Sequence, residues 1–208
     1  MEISLNQIGK RFGYEWIFKN VNLELSANNI YGLKGPNGSG KSTLMQVFSG
    51  HLSPSEGKIK YSNKNAEISR ADIYKYISFS GPYIDIINQF TLREVLSFHF
   101  KFKESLLGSE KEMIQAMQLE KAKDKQLAFY SSGMRQRVKL ALSLFSNTPI
   151  LLMDEPSTNL DQKGINWYQE MLEKFSKNRL VMVASNEARD YQQAKSIFNI
   201  EDYKKQEN

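Results

Sequence analysis

Gly35-Pro36-Asn37-Gly38-Ser39-Gly40-Lys41-Ser42-Thr43 follows directly on the apolar, β-prone stretch Ile30-Tyr31-Gly32-Leu33. The nonapeptide fits G-x-x-x-x-G-K-[ST], a loop that wraps phosphate oxygens. Gly35, Gly38 and Gly40 leave the main chain free to take positive φ and to approach an anion closely. Amide N–H groups from Asn37 to Ser42 can converge on that anion, and the helix that follows adds the positive end of its dipole. In this pattern Lys41 reaches the β- and γ-phosphates, and the Ser42 hydroxyl ligates Mg²⁺. A glycine-rich turn opening an ordinary helix is the bland alternative, and the strand in front of the loop weighs against it. The stretch implies a bound nucleoside triphosphate.

Around that loop the composition sets bounds. The chain has 208 residues, 40% of them hydrophobic, enough for one substantial core in a single domain. Its apolar runs, such as Ile150–Met153 and Val181–Ala184, fall far short of the ~20 residues that cross a bilayer. The N-terminus Met1–Lys10 shows no cationic segment leading into an apolar one, so no secretion signal is read there. There are no cysteines, which removes disulfides, thiolate catalysis and zinc–sulfur sites, and two histidines are too few for an ordinary His-based metal centre. Together these features point to the cytoplasm. The net charge of +5 is mild, and lysines such as Lys121, Lys123, Lys125, Lys174 and Lys177 fall among glutamates at helical spacings. That is a solvated helix face rather than a nucleic-acid stripe, and no direct nucleic-acid partner is expected. Glu201 to Asn208 reads as a polar, frayed tail.

Along the chain, alternation over Glu2–Ile8 and Val21–Leu25 predicts strands with one face buried. Ile30–Leu33 feeds the phosphate loop and Ser42–Ser49 opens the next helix. Gly50–Gly57 is turn-rich and leads to short strands at Lys58–Tyr61 and Tyr76–Phe79. From Thr91 to Leu119 the pattern is helical, through Leu92, Val95, Leu96, His99 and Phe100. After a helical stretch at Met134–Phe145, strands return at Ile150–Met153 and Leu180–Ala184. The fold class is therefore α/β, a core carrying an inserted helical subdomain.

Ile150–Met153 is a continuous apolar run ending in Asp154-Glu155. Buried parallel strands look like this, and reactive groups gather beyond their C-terminal ends. Asp154 is placed to hold Mg²⁺ beside Ser42, and Glu155 to orient or deprotonate an attacking water. A strand running into an acidic turn would explain the same letters alone; the phosphate loop upstream and Pro156–Asp161 downstream make the catalytic reading the stronger.

Four segments now stand in a recognisable order: GPNGSGKST (Gly35–Thr43), YSSGMRQR (Tyr130–Arg137), ILLMDEP (Ile150–Pro156) and STNLD (Ser157–Asp161). From about Ile3 to Asn199 the chain resembles an ATP-binding-cassette (ABC) nucleotide-binding domain. The resemblance implies a P-loop ATPase core with an antiparallel β-layer in residues 1–82 and 138–200, and a helical signature subdomain at about 83–137. Tyr130–Arg137 is the discriminating segment and resembles the LSGGQ signature, with Ser131 and Gly133 matching, Ser132 replacing a glycine and Met134 standing for glutamine. Ser-Ser-Gly before a helix is also an ordinary N-cap. In the family it forms a second anion cup, made by the Ser131 hydroxyl, the Gly133 backbone and a helix N-terminus. That cup faces the γ-phosphate held by another subunit, so a head-to-tail dimer closing over two ATP molecules is implied, homotypic or with a different cassette, Asp161 contributing from each protomer. The resemblance further implies an aromatic platform for adenine near the N-terminus, where Phe12 stands at the usual tyrosine position with Tyr14 and Trp16 as rivals.

Two departures from the family stand out. The glutamine expected after the Tyr76–Phe79 strand is absent from Ser78-Phe79-Ser80-Gly81-Pro82-Tyr83, and Gln89 comes too late. Where family members carry a histidine after the last core strand, Asn186 stands in Ala184-Ser185-Asn186-Glu187; it offers an amide but neither positive charge nor a transferable proton. With Lys41 and Glu155 intact, hydrolysis is expected to be real but slow, or dependent on a partner. The expected role is the ATP-hydrolysing subunit of a transporter on the inner face of the membrane, working with a separately encoded transmembrane permease. The helical segment near 83–125, rich in Phe90, Phe98, Phe100 and Phe102, would offer its docking groove. The alternatives are a soluble assembly-type ABC ATPase and a slow nucleotide-gated clamp.

Overall fold

The computed structural model describes residues 1–64 and 66–204. A long hairpin opens the chain, β1 (Glu2–Phe12) and β2 (Glu15–Ser26), turning at Gly13. β1 continues past the predicted end at Ile8 because its register against β2 shifts between Leu5 and Ile8 and again before Lys10. The first shift puts an extra residue in β1 and the second puts one in β2, and an extra residue breaks the two-residue alternation of the strand that carries it. β3 (Asn29–Lys34) leads through the phosphate loop into α1 (Lys41–Phe48). β4 (Glu56–Asn63) and the short β5 (Ala66–Ile68), which the sequence reading missed, complete an antiparallel sheet of order β2-β1-β4-β5.

β6 (Ile77–Ser80) begins the catalytic sheet's far edge. The helical stretch from Thr91 to Leu119 resolves into two short helices, α2 (Leu92–His99) and α3 (Glu110–Met117). Each is opened by a capping box, Thr91 with Glu94 and Ser109 with Glu112, so the second box marks a restart that periodicity alone smooths over. α4 (Ser132–Phe145), β7 (Ile150–Asp154), α5 (Gln162–Phe175), β8 (Leu180–Ser185) and β9 (Ser196–Asn199) follow. α4 runs unbroken across the 137/138 boundary drawn from the sequence. β9 was also missed; it is an edge strand of four residues, none of them fully buried.

The catalytic sheet is wholly parallel, in the order β6-β7-β8-β3-β9, which brings the ends of β3, β7 and β8 side by side. Its two faces build two cores. Leu151 and Met153 of β7 and Val181 and Val183 of β8 face α2, α3, α4 and α5. Ile150, Leu152, Leu180, Met182 and Ala184 face α1 and the antiparallel layer. The inserted helices therefore share a core with the sheet, and the Trp167 indole N–H of α5 donates to the Ala116 carbonyl of α3 at 2.7 Å. Behind the sheet, Arg179 is buried with its guanidinium on the Leu144 carbonyl (2.9 Å), Ser78 Oγ (2.7 Å) and Thr148 Oγ1 (2.9 Å). Burial pulls its pKa down to about 10, so the charge persists at neutral pH and ties β6, α4 and β8 together.

The tail is shorter than expected. Ile200–Tyr203 forms a 3-10 turn, Ile200 is fully buried and Tyr203 packs against the core between the layers, because Ile200 and Tyr203 share one side of the turn. Lys205–Asn208, the remainder of the expected tail, lies outside the described residues.

Candidate nucleotide site

Ser39 to Thr43, with Asn37 and Gly38, floor a cleft of about 650 Å³ at the C-terminal edge of the parallel sheet. Its walls are Glu155 and Ser157–Leu160 after β7, Asn186, Glu187 and Arg189 after β8, Pro82 and Tyr83 after β6, and Ile17 from β2. Gly35, Gly38 and Gly40 all hold positive φ, and Gly40 at +103° ends the loop where α1 begins. A Cβ at Gly40 would meet Ile17 Cγ2 at 2.5 Å, so glycine is required there by both conformation and space.

Lys41 is buried to 5% exposure and its ammonium bridges the loop, donating to the carbonyls of Gly35 (2.9 Å) and Pro36 (3.2 Å). It also pairs with Glu155 Oε1 at 3.1 Å. Glu155 sits in left-handed backbone (φ +48°), anchored by its N–H donating to the Ala184 carbonyl at 2.8 Å. Its second oxygen, Oε2, meets Ser185 Oγ at 3.1 Å. Asp154, one residue earlier, is buried, and its Oδ1 has no hydrogen-bond partner. Burial pushes its carboxyl up to about 6; the Ser42 hydroxyl and the Lys41 ammonium pull it down, and Glu155 raises it further. An orphaned acid oxygen beside the Ser42 hydroxyl is a donor set of hard oxygens suited to Mg²⁺.

The signature segment lies elsewhere. Ser131 is exposed, caps α4 by accepting the Met134 N–H at 3.2 Å, and does not line the cleft. Gly133 sits against the loop after β7, where a Cβ would come within 2.9 Å of the Asn159 carbonyl. Gln136 Nε2 donates to the Pro156 carbonyl at 2.9 Å, a second tie to that loop. Asp161 is not in the cleft either; its carboxylate accepts the Gly164 N–H at 2.8 Å and caps α5. Nor is Phe12: it lies half-exposed at the end of β1 with the Lys10 ammonium 5.0 Å from its ring centre, and Ile17 is the hairpin residue that reaches the cleft. Tyr14 projects into solvent, and Trp16 is covered by the Lys19 ammonium at 4.0 Å.

The model of the ABC transporter family matches residues 18–158. The chain belongs to the ABC transporter family. It is 30% identical over 187 residues to the lantibiotic transport ATP-binding protein SrtF of Streptococcus pyogenes, covering 88% of this chain and 80% of that one. It is 35% identical over 184 residues to the probable sulfate/thiosulfate import ATP-binding protein CysA of Chlorella vulgaris, covering 85% and 78%. The dimeric structure of the bacterial ABC transporter cassette MJ0796 superposes with a TM-score of 0.80 at 25% identity, over 95% of this chain and 93% of that one. An ABC transporter ATP-binding protein of Pyrococcus furiosus shares the fold, with a TM-score of 0.84 at 20% identity over 99% and 100%.

The cassette is thus an ATP-binding and ATP-hydrolysing subunit of an ABC transporter, and among its described residues no helix is long and apolar enough to cross a membrane. Its departures from the family pattern fall inside the cleft, since Pro82 and Asn186 both line it. Sequence reasoning missed Tyr83, Glu187 and Arg189, which line it too. A basic residue so close to the Asn186 substitution was the available signal.

Proposed function

We propose that MgATP binds this cassette with its phosphates in the loop Gly35–Thr43, its metal on Ser42 and Asp154, and its γ-phosphate under Glu155 and Asn186. The single observation behind this reading is the Lys41–Glu155 pair in the cleft with a buried, unpartnered Asp154 oxygen close to Ser42 and Lys41 behind it. Bound Mg²⁺ would neutralise charge on the β- and γ-oxygens. Lys41 exchanges its contacts to Gly35, Pro36 and Glu155 for phosphate oxygens, which frees Glu155 to take the proton of the attacking water. Arg189, exposed at the cleft wall and only loosely paired with Glu187 (3.8 Å), supplies the positive charge that Asn186 lacks. Phe12 is the proposed platform for adenine, on the hairpin that carries Ile17.

The same reading places Ser131, Gly133 and Asp161 at a second cassette's nucleotide. They stand outside their own cleft while tied to its far wall through Gln136 and Gly133, so a head-to-tail partner completes each site. The permease docks on the inner face of the membrane, in an apolar groove of about 240 Å³ between β6, α2 and α4. Ile84, Ile87, Phe90 and Phe98 line it, and Lys103, Lys139 and Asp85 stand at its polar margin. The groove adjoins Pro82-Tyr83, so a docked segment is coupled directly to the nucleotide cleft.

Calorimetry and phosphate release test the core of this proposal. Wild type should bind MgATP and release phosphate slowly; Lys41→Ala should give no binding heat, and Glu155→Gln should bind ATP with phosphate release cut to a small residual rate. Equal binding by Lys41→Ala would refute it.

A further inference from the structure

Behind Glu155 lies a second acid that the reaction scheme has not used. Asp190, on the 3-10 turn Ala188–Tyr191 after β8, is 1% exposed, and its Oδ2 lies 2.6 Å from the fully buried Ser185 Oγ. Ser185 Oγ also accepts the Glu187 N–H at 3.0 Å and stands 3.1 Å from Glu155 Oε2. One hydroxyl carries one proton, so it cannot donate to two carboxylates at once. The three contacts are satisfied together only if one of the two acids carries a proton, and the Lys41 ammonium on Glu155 Oε1 makes Asp190 that acid, leaving the Ser185 hydroxyl to donate to Glu155.

We propose that Asp190 is a positioning residue for hydrolysis, acting as a neutral acid whose O–H donates to Ser185 so that Ser185 donates to Glu155 and holds that carboxylate aimed. The surroundings agree with a neutral Asp190. Its Oδ1 is buried without a partner, and burial raises its pKa against the pull of Ser185 and Ser157. Its backbone is fixed from below by the Tyr168 hydroxyl, which donates to the Asp190 carbonyl at 2.9 Å. Glu155 is thereby gripped on both oxygens, by Lys41 on Oε1 and by Ser185 on Oε2. When Lys41 turns to the phosphates, Ser185 is the grip that stays.

The inference rests on Glu155 being the base. ATPase rates and calorimetric ATP affinity are measured for Ser185→Ala, Asp190→Ala, Asp190→Asn and the double Ser185→Ala/Asp190→Ala variant. Loss of a hydrogen bond to a charged group predicts a fall in kcat of about tenfold or more for Ser185→Ala and Asp190→Ala. KM and ATP affinity should stay within about twofold, because the relay touches the base and not the nucleotide. Asp190→Asn, whose amide still donates, should recover to within about threefold of wild type, and the double variant should be no slower than Ser185→Ala alone. In a Glu155→Gln background none of these changes should lower the residual rate further. Additive losses, an Asn variant as slow as the Ala one, or a further loss in the Gln background would overturn the relay. Should Asp190→Ala fail to fold, Ser185→Ala and Asp190→Asn still decide between these results. A Glu155→Gln cassette as active as wild type would instead remove the base itself, an outcome read on a different variant.

Discussion

Asp154 carries the largest electrostatic cost at the site. Its carboxyl is raised from 3.8 to about 6, mainly by burial, so the folded protein holds its proton more tightly than the unfolded chain between those values. Stability must then fall as pH rises from about 4 to about 6, and at neutral pH the buried charge costs on the order of 3 kcal/mol. Asp154→Asn should therefore melt at a higher temperature than wild type at pH 7.5 without nucleotide, the gap closing as pH falls towards 4. The same variant should lose the Mg²⁺ dependence of ATP binding, read by calorimetry with and without chelator. Arg189 is the other residue whose role is decided by charge. Arg189→Ala should lower kcat about tenfold or more with ATP affinity little changed, and Arg189→Lys should lose less. An unchanged rate in the alanine variant would leave Asn186 as the sole group after β8 acting on the phosphate.

At the level of elements, one short loop serves two masters. Ser131 caps α4, and a cap replaced by alanine costs about 1 kcal/mol in stability. If capping were its whole role, Ser131→Ala would shift the melting temperature by a few degrees and leave hydrolysis intact. As half of an anion cup it should instead lose most of the ATPase activity for the same small thermal shift, measured side by side. Gly133→Ala tests the neighbouring contact: its Cβ would press on the Asn159 carbonyl at 2.9 Å, displacing the loop that carries Ser157–Leu160 into the cleft. Its activity should fall more than its stability. Gln136 adds a second tie from α4 to that loop at Pro156, so α4 links the signature segment to the loop that follows the acids of β7.

For the whole molecule, two surfaces await partners. Glu155→Gln with saturating MgATP should shift from monomer to dimer in light scattering, and Ser131→Ala in that background should oppose the shift, since closure needs the cup of the second copy. The permease groove offers an independent test. Ile87 is 43% exposed and Phe98 47%, large apolar side chains at a groove mouth rather than core residues. Ile87→Asp with Phe98→Asp should leave the isolated cassette folded and able to bind ATP, yet abolish its recovery with a multi-span membrane partner. Recovery at the wild-type level would move the docking surface elsewhere.

Much of this was legible in sequence because it is local. The phosphate loop needs glycines in fixed order, and β7 needs apolar residues on both faces, so Gly35–Thr43 and Ile150–Glu155 announce the parallel α/β core and the chemistry at its edge. The short strands β5 and β9 were missed: β5 has three residues, two of them exposed, and β9 is an edge strand bounded by the polar Ser196 and Asn199. The continuation of β1 beyond Ile8 was hidden because Gly9-Lys10-Arg11 carries no apolar alternation. Phe12 and Asp161 could be placed by resemblance but not by geometry; folding turns one outward on the hairpin and commits the other to the N-terminus of α5. What sequence determined by itself was the fold class, an ATP-binding cassette and the place of two acids at the end of β7. What tertiary structure alone decided was which of the remaining polar groups gather there: the parallel pairing of β7 with β8 brings Ser185 to Glu155, sets Asp190 behind Ser185 and puts Arg189 on the same cleft. Such pairings are distant along the chain and leave no pattern in it, because a side chain's partner across a sheet is chosen by register and not by sequence spacing.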